Sequence, residues 1–227
     1  MKDNQEHTKQ SNYIKKLLVS GGIILLILFG FFAVGKIEQL KSTDLVQKSM
    51  NAWMDVKDRY GQVHIPEQYI PIYMDAAEEY DVPWTLLAAH HRVETRFSSM
   101  DPLVSPAGAE GHMQFMPCTF VGWGHPSCEG LGKGDIPEAD KTNPEVIEQY
   151  GGYGVDANGD GVADPYDIED AIYSTANYIS SHGASDGELE AAIFEYNRSN
   201  TYVEDVLFYY NKFEGIKDQV EIKIAQK

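Results

Sequence analysis

The chain has 227 residues, enough for one domain of ordinary size plus a terminal segment, and its 43% hydrophobic content is that of a globular chain rather than a disordered one. With 18 Lys and Arg against 35 Asp and Glu it carries a net charge of −17. That sign argues against nucleic acid as a partner and against electrostatic capture by an anionic wall or lipid surface.

Residues 1–16 carry Lys2, Lys9, Lys15 and Lys16 against Asp3 and Glu6. The next 19 residues, Leu17 to Gly35, contain no charge and as a helix would span about 28 Å, close to the thickness of a bilayer core. This run predicts one transmembrane helix. The alternative is a cleaved leader, against which stand the length of the run and the absence of a small-residue cleavage site before Lys36. Lys15 and Lys16 beside the membrane predict a cytoplasmic N-terminus, so that everything after Gly35 lies outside the cell. Residues 36–65 read as a polar, helix-compatible stalk.

From Pro66 the pattern becomes that of a folded domain, expected to end near residue 215 and to leave a tail at 216–227. Tyr69, Ile70, Tyr73, Met74 and Ala77 form a helical stripe. Asp81-Val82-Pro83 interrupts it, and Pro83 suits the first turn of a second helix running to Glu94. Residues 98–111 and 122–165 are rich in Gly, Pro, Ser and Asp and predict irregular backbone. Helical patterning returns at 168–182, 188–196 and 201–213. No alternating strand pattern stands out, so the expected fold class is mainly α with a long insertion.

Within that insertion, Asp156 to Asp167 reads DANGDGVADPYD. Asp156, Asn158 and Asp160 fall at positions 1, 3 and 5 of an EF-hand-like loop, Gly161 at 6, and Val162 offers its carbonyl at 7. Asp164 at position 9 would act through water. Asp167 stands at position 12 in place of the usual Glu, and its shorter arm disfavours bidentate ligation. The spacing predicts a structural Ca2+; the alternative is an Asp/Asn/Gly turn with no metal. Cys118 and Cys128 bracket a short loop, and outside the cell the expected state is a disulfide rather than two thiols.

Three segments, LLAAHHRVETRFSS, SPAGAEGHMQFMPCTF and FEYNRS, resemble in order the motifs of lytic transglycosylases with the lysozyme-like fold. The resemblance spans about residues 66–213, and the central loop is its specific part. It implies a groove for peptidoglycan glycan strands with Glu94 as the single acid and base. Glu94 would protonate the bond between MurNAc and GlcNAc, then deprotonate the MurNAc 6-hydroxyl as a 1,6-anhydro ring closes. Met113 and Gln114 should line the groove, Gly108 and Gly111 should let backbone approach a sugar, Tyr196 should orient Glu94, and Asn197 should face substrate. Arg198-Ser199 departs from the Ala-Gly that often follows Tyr-Asn, which leaves the shape of that loop open. One branch of the family carries a calcium loop placed as the one here.

The chemistry agrees with that resemblance, since glycosidic cleavage needs a carboxylic acid whose pKa is raised by burial. No second catalytic carboxylate stands out; Glu110 lies in the central loop but at a variable position. His90 and Glu94 are one turn apart, yet no His-Glu-x-x-His pattern points to zinc. A hydrolase on the same fold, of lysozyme type, is the nearest alternative. A non-catalytic glycan-binding module of an envelope-spanning machine is a third.

Overall fold

The computed structural model describes residues 64–226. The expected cytoplasmic tail, the span at 17–35 and the stalk up to residue 63 lie outside the described residues. From Val63 onward the chain forms a compact unit of its own. Among the described residues no helix is long and apolar enough to cross a membrane, and the backbone is helical with two isolated bridges and no strand.

A 3-10 turn at Glu67–Tyr69 leads into α1, Ile70–Tyr80, with a proline in its first turn where no amide partner is lost. Asp81 ends α1 in the left-handed region at φ 53°. Pro83, extended at ψ 124°, then starts α2, Trp84–Thr95. The short helices α3 (Pro117–Val121), α4 (Glu138–Lys141) and α5 (Pro144–Tyr150) punctuate the long irregular region. They are followed by α6, Ile168–Ile179. Asp167 caps α6 by accepting from the amides of Glu169 and Asp170, a contact of about 1 kcal/mol.

A wide turn at Ser180–Ala184 carries left-handed Gly183 and leads to α7, Leu189–Tyr196. α8, Asn200–Glu214, begins at Ser199, whose side chain accepts from the Tyr202 amide. That cap answers the question left by Arg198-Ser199. Ser199 is extended, at φ −134°, so no glycine is needed, and Arg198 pairs with Glu195 at 2.6 Å.

Residues 217–225 are not a tail but a helix, α9. It is tied down by polar contacts: the Trp84 indole donates to Glu221 at 2.8 Å, and Lys223 pairs with Glu67. The core gathers Tyr73 of α1, Leu86 to Ala89 of α2, Ile172 and Ile179 of α6, Ile193 of α7 and Val206 and Phe213 of α8. α2 is therefore the central helix, buried by α1, α6 and α8.

Candidate active site

Glu94 sits one residue from the end of α2, where the apolar face of the helix meets the surface. It keeps part of its area open to solvent, while the packing round its carboxyl raises the pKa from 4.5 to about 8. Desolvation is the larger cause; a hydrogen bond from the Tyr202 hydroxyl to Oε1, at 2.5 Å, opposes it. At neutral pH Glu94 is thus mostly a neutral acid, as a proton donor must be.

The backbone after Glu94 is held in an unusual course. Arg96, Phe97 and Ser98 all have φ between 52° and 64°, a region costly for residues with a Cβ. His91 supports it: its Nε2 lies 2.7 Å from the Ser98 hydroxyl and its Nδ1 lies 2.6 Å from the Tyr73 hydroxyl. Thr95 donates to the carbonyl of His112 at 2.8 Å, which joins the end of α2 to the central loop.

That loop folds back on itself, with Glu110 and Phe115 exchanging backbone hydrogen bonds of 2.8 and 3.0 Å. Gly111, at φ 80°, is required by protein rather than by sugar: a Cβ there would lie 1.9 Å from the Pro165 carbonyl oxygen. Gly108 faces the Lys133 side chain. Both glycines, expected to admit a sugar, instead admit neighbouring segments of the chain.

Met113, expected along the groove, has no exposed surface and packs in the core. The alternation of this tight loop turns it inward, and its contribution to the site is its carbonyl. Gln114 stands at φ 54° and is partly exposed, with Nε2 donating to Gly111 at 2.8 Å. Asn197 is exposed at the end of α7. Tyr196 lies near enough for the Glu94 charge to help raise its pKa, but its hydroxyl donates to the Met113 carbonyl at 2.8 Å and meets Thr175 at 3.3 Å. The phenol that bonds Glu94 is Tyr202. Its ring runs nearly parallel to that of Tyr196, 6.4 Å away. Glu110 is no rival to Glu94, because Lys141 binds its carboxylate at 3.1 Å.

Residues 147–192 match the family model described as Transglycosylase SLT domain. No curated protein and no solved structure matches the chain. The matched stretch runs from α5 through α6 into α7, so it contains neither Glu94, nor the loop at 108–117, nor Tyr196-Asn197. Motif reading and family match are therefore separate observations on one folded unit. Together they support a lytic transglycosylase-type function acting on peptidoglycan.

Inside the matched stretch, the 156–167 loop closes on its own amides. Asp156 accepts from Gly159, Asp160 and Gly161; Asn158 accepts from Asp160, Asp160 from Val162, and Asp164 from Tyr166, all between 2.8 and 3.1 Å. Asp170, overlooked in the sequence, is fully buried and ties the two arms together, accepting from Ala157 at 2.8 Å and Asp164 at 2.9 Å. Burial raises its pKa while those amides hold it down. Among the described residues no three Asp, Glu, His or Cys side chains are gathered closely enough to hold a metal. The donors available are nonetheless all oxygen, and among the described residues no Lys or Arg pairs with them. The loop also braces the central loop, since Pro165 and Tyr166 accept from the backbone and ring of His112.

A second brace is covalent. Cys118 and Cys128 form a disulfide, with Cα atoms 5.6 Å apart, directly behind the central loop.

Proposed function

We propose that this chain is a membrane-anchored lytic transglycosylase that cuts the MurNAc–GlcNAc bond with Glu94 as both acid and base. One observation carries the reading: a partly open carboxyl kept neutral near pH 7 by its surroundings, with no second carboxylate acting on it. In the first step the Glu94 proton passes to the glycosidic oxygen as its bond to C1 breaks. In the second the MurNAc 6-hydroxyl forms the new bond to C1 and returns its proton to Glu94. Protons balance, and no water is consumed.

A lysozyme-type hydrolysis would need water in place of the 6-hydroxyl, and the two-carboxylate form of that chemistry would need a second acid. Glu110, held by Lys141, is not available for it. Gln114 is partly exposed and Asn197 exposed, and both are assigned to glycan binding. Anchoring rests on the uncharged run Leu17–Gly35, which would hold the domain against the outer face of the membrane.

A structural calcium ion completes the proposal. Asp156, Asn158, Asp160, the Val162 carbonyl and Asp167 would hold it, with Asp164 acting through water. Its chemistry would be that of a hard cation neutralising carboxylates, with no part in the proton transfers of Glu94. Digestion of purified peptidoglycan by the wild type and by Glu94→Gln, followed by mass analysis, tests the reading. Anhydro-ended products from the wild type alone support it. Reducing-end products point to hydrolysis, and no products at all to a binding module.

A further inference from the structure

Behind Glu94 stands a buried histidine that the proposed chemistry does not use. His90 lies one turn earlier on α2 and has no exposed surface. Its Nδ1 is 2.9 Å from the Tyr202 hydroxyl, and its Nε2 has no hydrogen-bond partner among the described residues. Its ring centroid lies 4.8 Å from that of Tyr196. Burial lowers its pKa to about 3, so the ring is neutral and one proton is shared between two nitrogens.

The direction of the hydrogen bonds follows from counting protons. Tyr202 has a single proton, and at 2.5 Å it is given to Oε1 of Glu94. The Tyr202 oxygen must then accept from Nδ1 of His90, which makes His90 the Nδ1–H tautomer. The opposite tautomer would point the Tyr202 proton at His90 and leave an N–H at Nε2 buried without an acceptor. Bare buried N–H groups are rarer than bare acceptors.

We infer that His90 is a positioning residue whose Nδ1–H keeps the Tyr202 proton on Oε1 of Glu94, reserving Oε2 for the proton that goes to the glycosidic oxygen. If Tyr202 turned round, the acid form of Glu94 would spend its proton on the Tyr202 oxygen, facing protein instead of substrate. This rests on the reading of Glu94 as the general acid. The other groups around the pair are already committed. Tyr196 of α7 bonds Met113 and Thr175, and His91, next on α2, bonds Tyr73 and Ser98. No charged side chain contributes to the pKa of His90, where desolvation acts alone.

The test combines spectroscopy and kinetics on the full chain. Nitrogen-15 NMR of histidine-labelled protein should show one ring with a protonated Nδ1 and a bare Nε2 that is lost in His90→Asn. His90→Leu should lower kcat on soluble glycan strands about ten- to a hundredfold, part of the usual general-acid contribution. KM should stay within about twofold, as expected for an interaction made only in the transition state. His90→Asn, whose amide can donate from nearly the place of Nδ1, should recover most of that loss. In a Tyr202→Phe background, His90→Leu should cost nothing more, since the two act as one unit.

An Nε2–H tautomer, a folded His90→Leu with wild-type kcat, or a His90→Asn no better than His90→Leu would each overturn the inference. If His90→Leu does not fold, the tautomer and the Asn variant decide. A wild type that releases no glycan fragments contradicts the proposed function instead, and leaves the tautomer to be read from NMR alone.

Discussion

Replacing Glu94 by Gln should raise the thermal stability of the protein while removing its chemistry. The folded pKa of about 8 lies above the 4.5 of a free glutamate, so between those values the folded state binds more protons than the unfolded one. Stability therefore falls as pH rises through that window. At pH 7 the unfolded carboxyl is ionised and the folded one is not, a difference worth at most about 3 kcal/mol at 1.36 kcal/mol per pKa unit. The partial opening of Glu94 to solvent reduces this to roughly 1–3 kcal/mol. Gln keeps an oxygen to accept from Tyr202 but has nothing to ionise. For a domain of this size the gain corresponds to roughly 2–10 °C in Tm near pH 7, shrinking toward pH 5 and growing toward pH 8. Thermal melts of both proteins across pH 5–8 measure it. Parallel curves with a constant offset would refute the claim that the Glu94 carboxyl is desolvated.

Other outcomes follow from the same structure. Activity should decline as pH rises through about 8, where Glu94 loses its proton. Tyr202→Phe should move that limb upward, because the lost hydrogen bond favoured the carboxylate; a limb that stays put would assign the titration elsewhere. Removing the Cys118–Cys128 bond, by reduction or by a double Ser variant, should cost about 2–3 kcal/mol in the chain-entropy model, read as a lower denaturation midpoint. Gly111→Ala should lose more than about 2 kcal/mol, against about 1 for Gly151→Ala, where a left-handed backbone meets open space. Equal losses in chemical denaturation would show that Pro165 does not press on Gly111. Chelation should lower Tm in the wild type and leave Asp156→Ala unaffected, while identical behaviour of the two would remove the calcium proposal.

The helices around Glu94 were legible because their signals are local. Pro83 and the apolar run after it place α2, whereas the cap that Asp167 gives α6 was hidden behind its reading as the last position of the cation loop. Gly and Pro in the central loop announce irregular backbone, but not what each residue faces there. Met113 and Gln114 are neighbours, yet the left-handed turn at Gln114 sends one into the core and leaves the other partly open. Tyr202 could not be read as the partner of Glu94, because an aromatic residue at helical spacing looks like core and only the fold brings together residues 108 apart. The one available hint was a second tyrosine one residue beyond the predicted start of α8. α9 escaped notice for another reason: its charges interrupt any apolar stripe, and it docks through polar bonds to Trp84 and Glu67. Asp170 was hidden by its place just past the twelve-residue loop whose arms it joins.

The most direct test of the central claim is the mass of the glycan ends released from purified peptidoglycan by the full chain and by Glu94→Gln. The account predicts 1,6-anhydro-MurNAc ends from the wild type and a loss of products from the variant. Reducing ends bearing added water, or undiminished cleavage by Glu94→Gln, would contradict it.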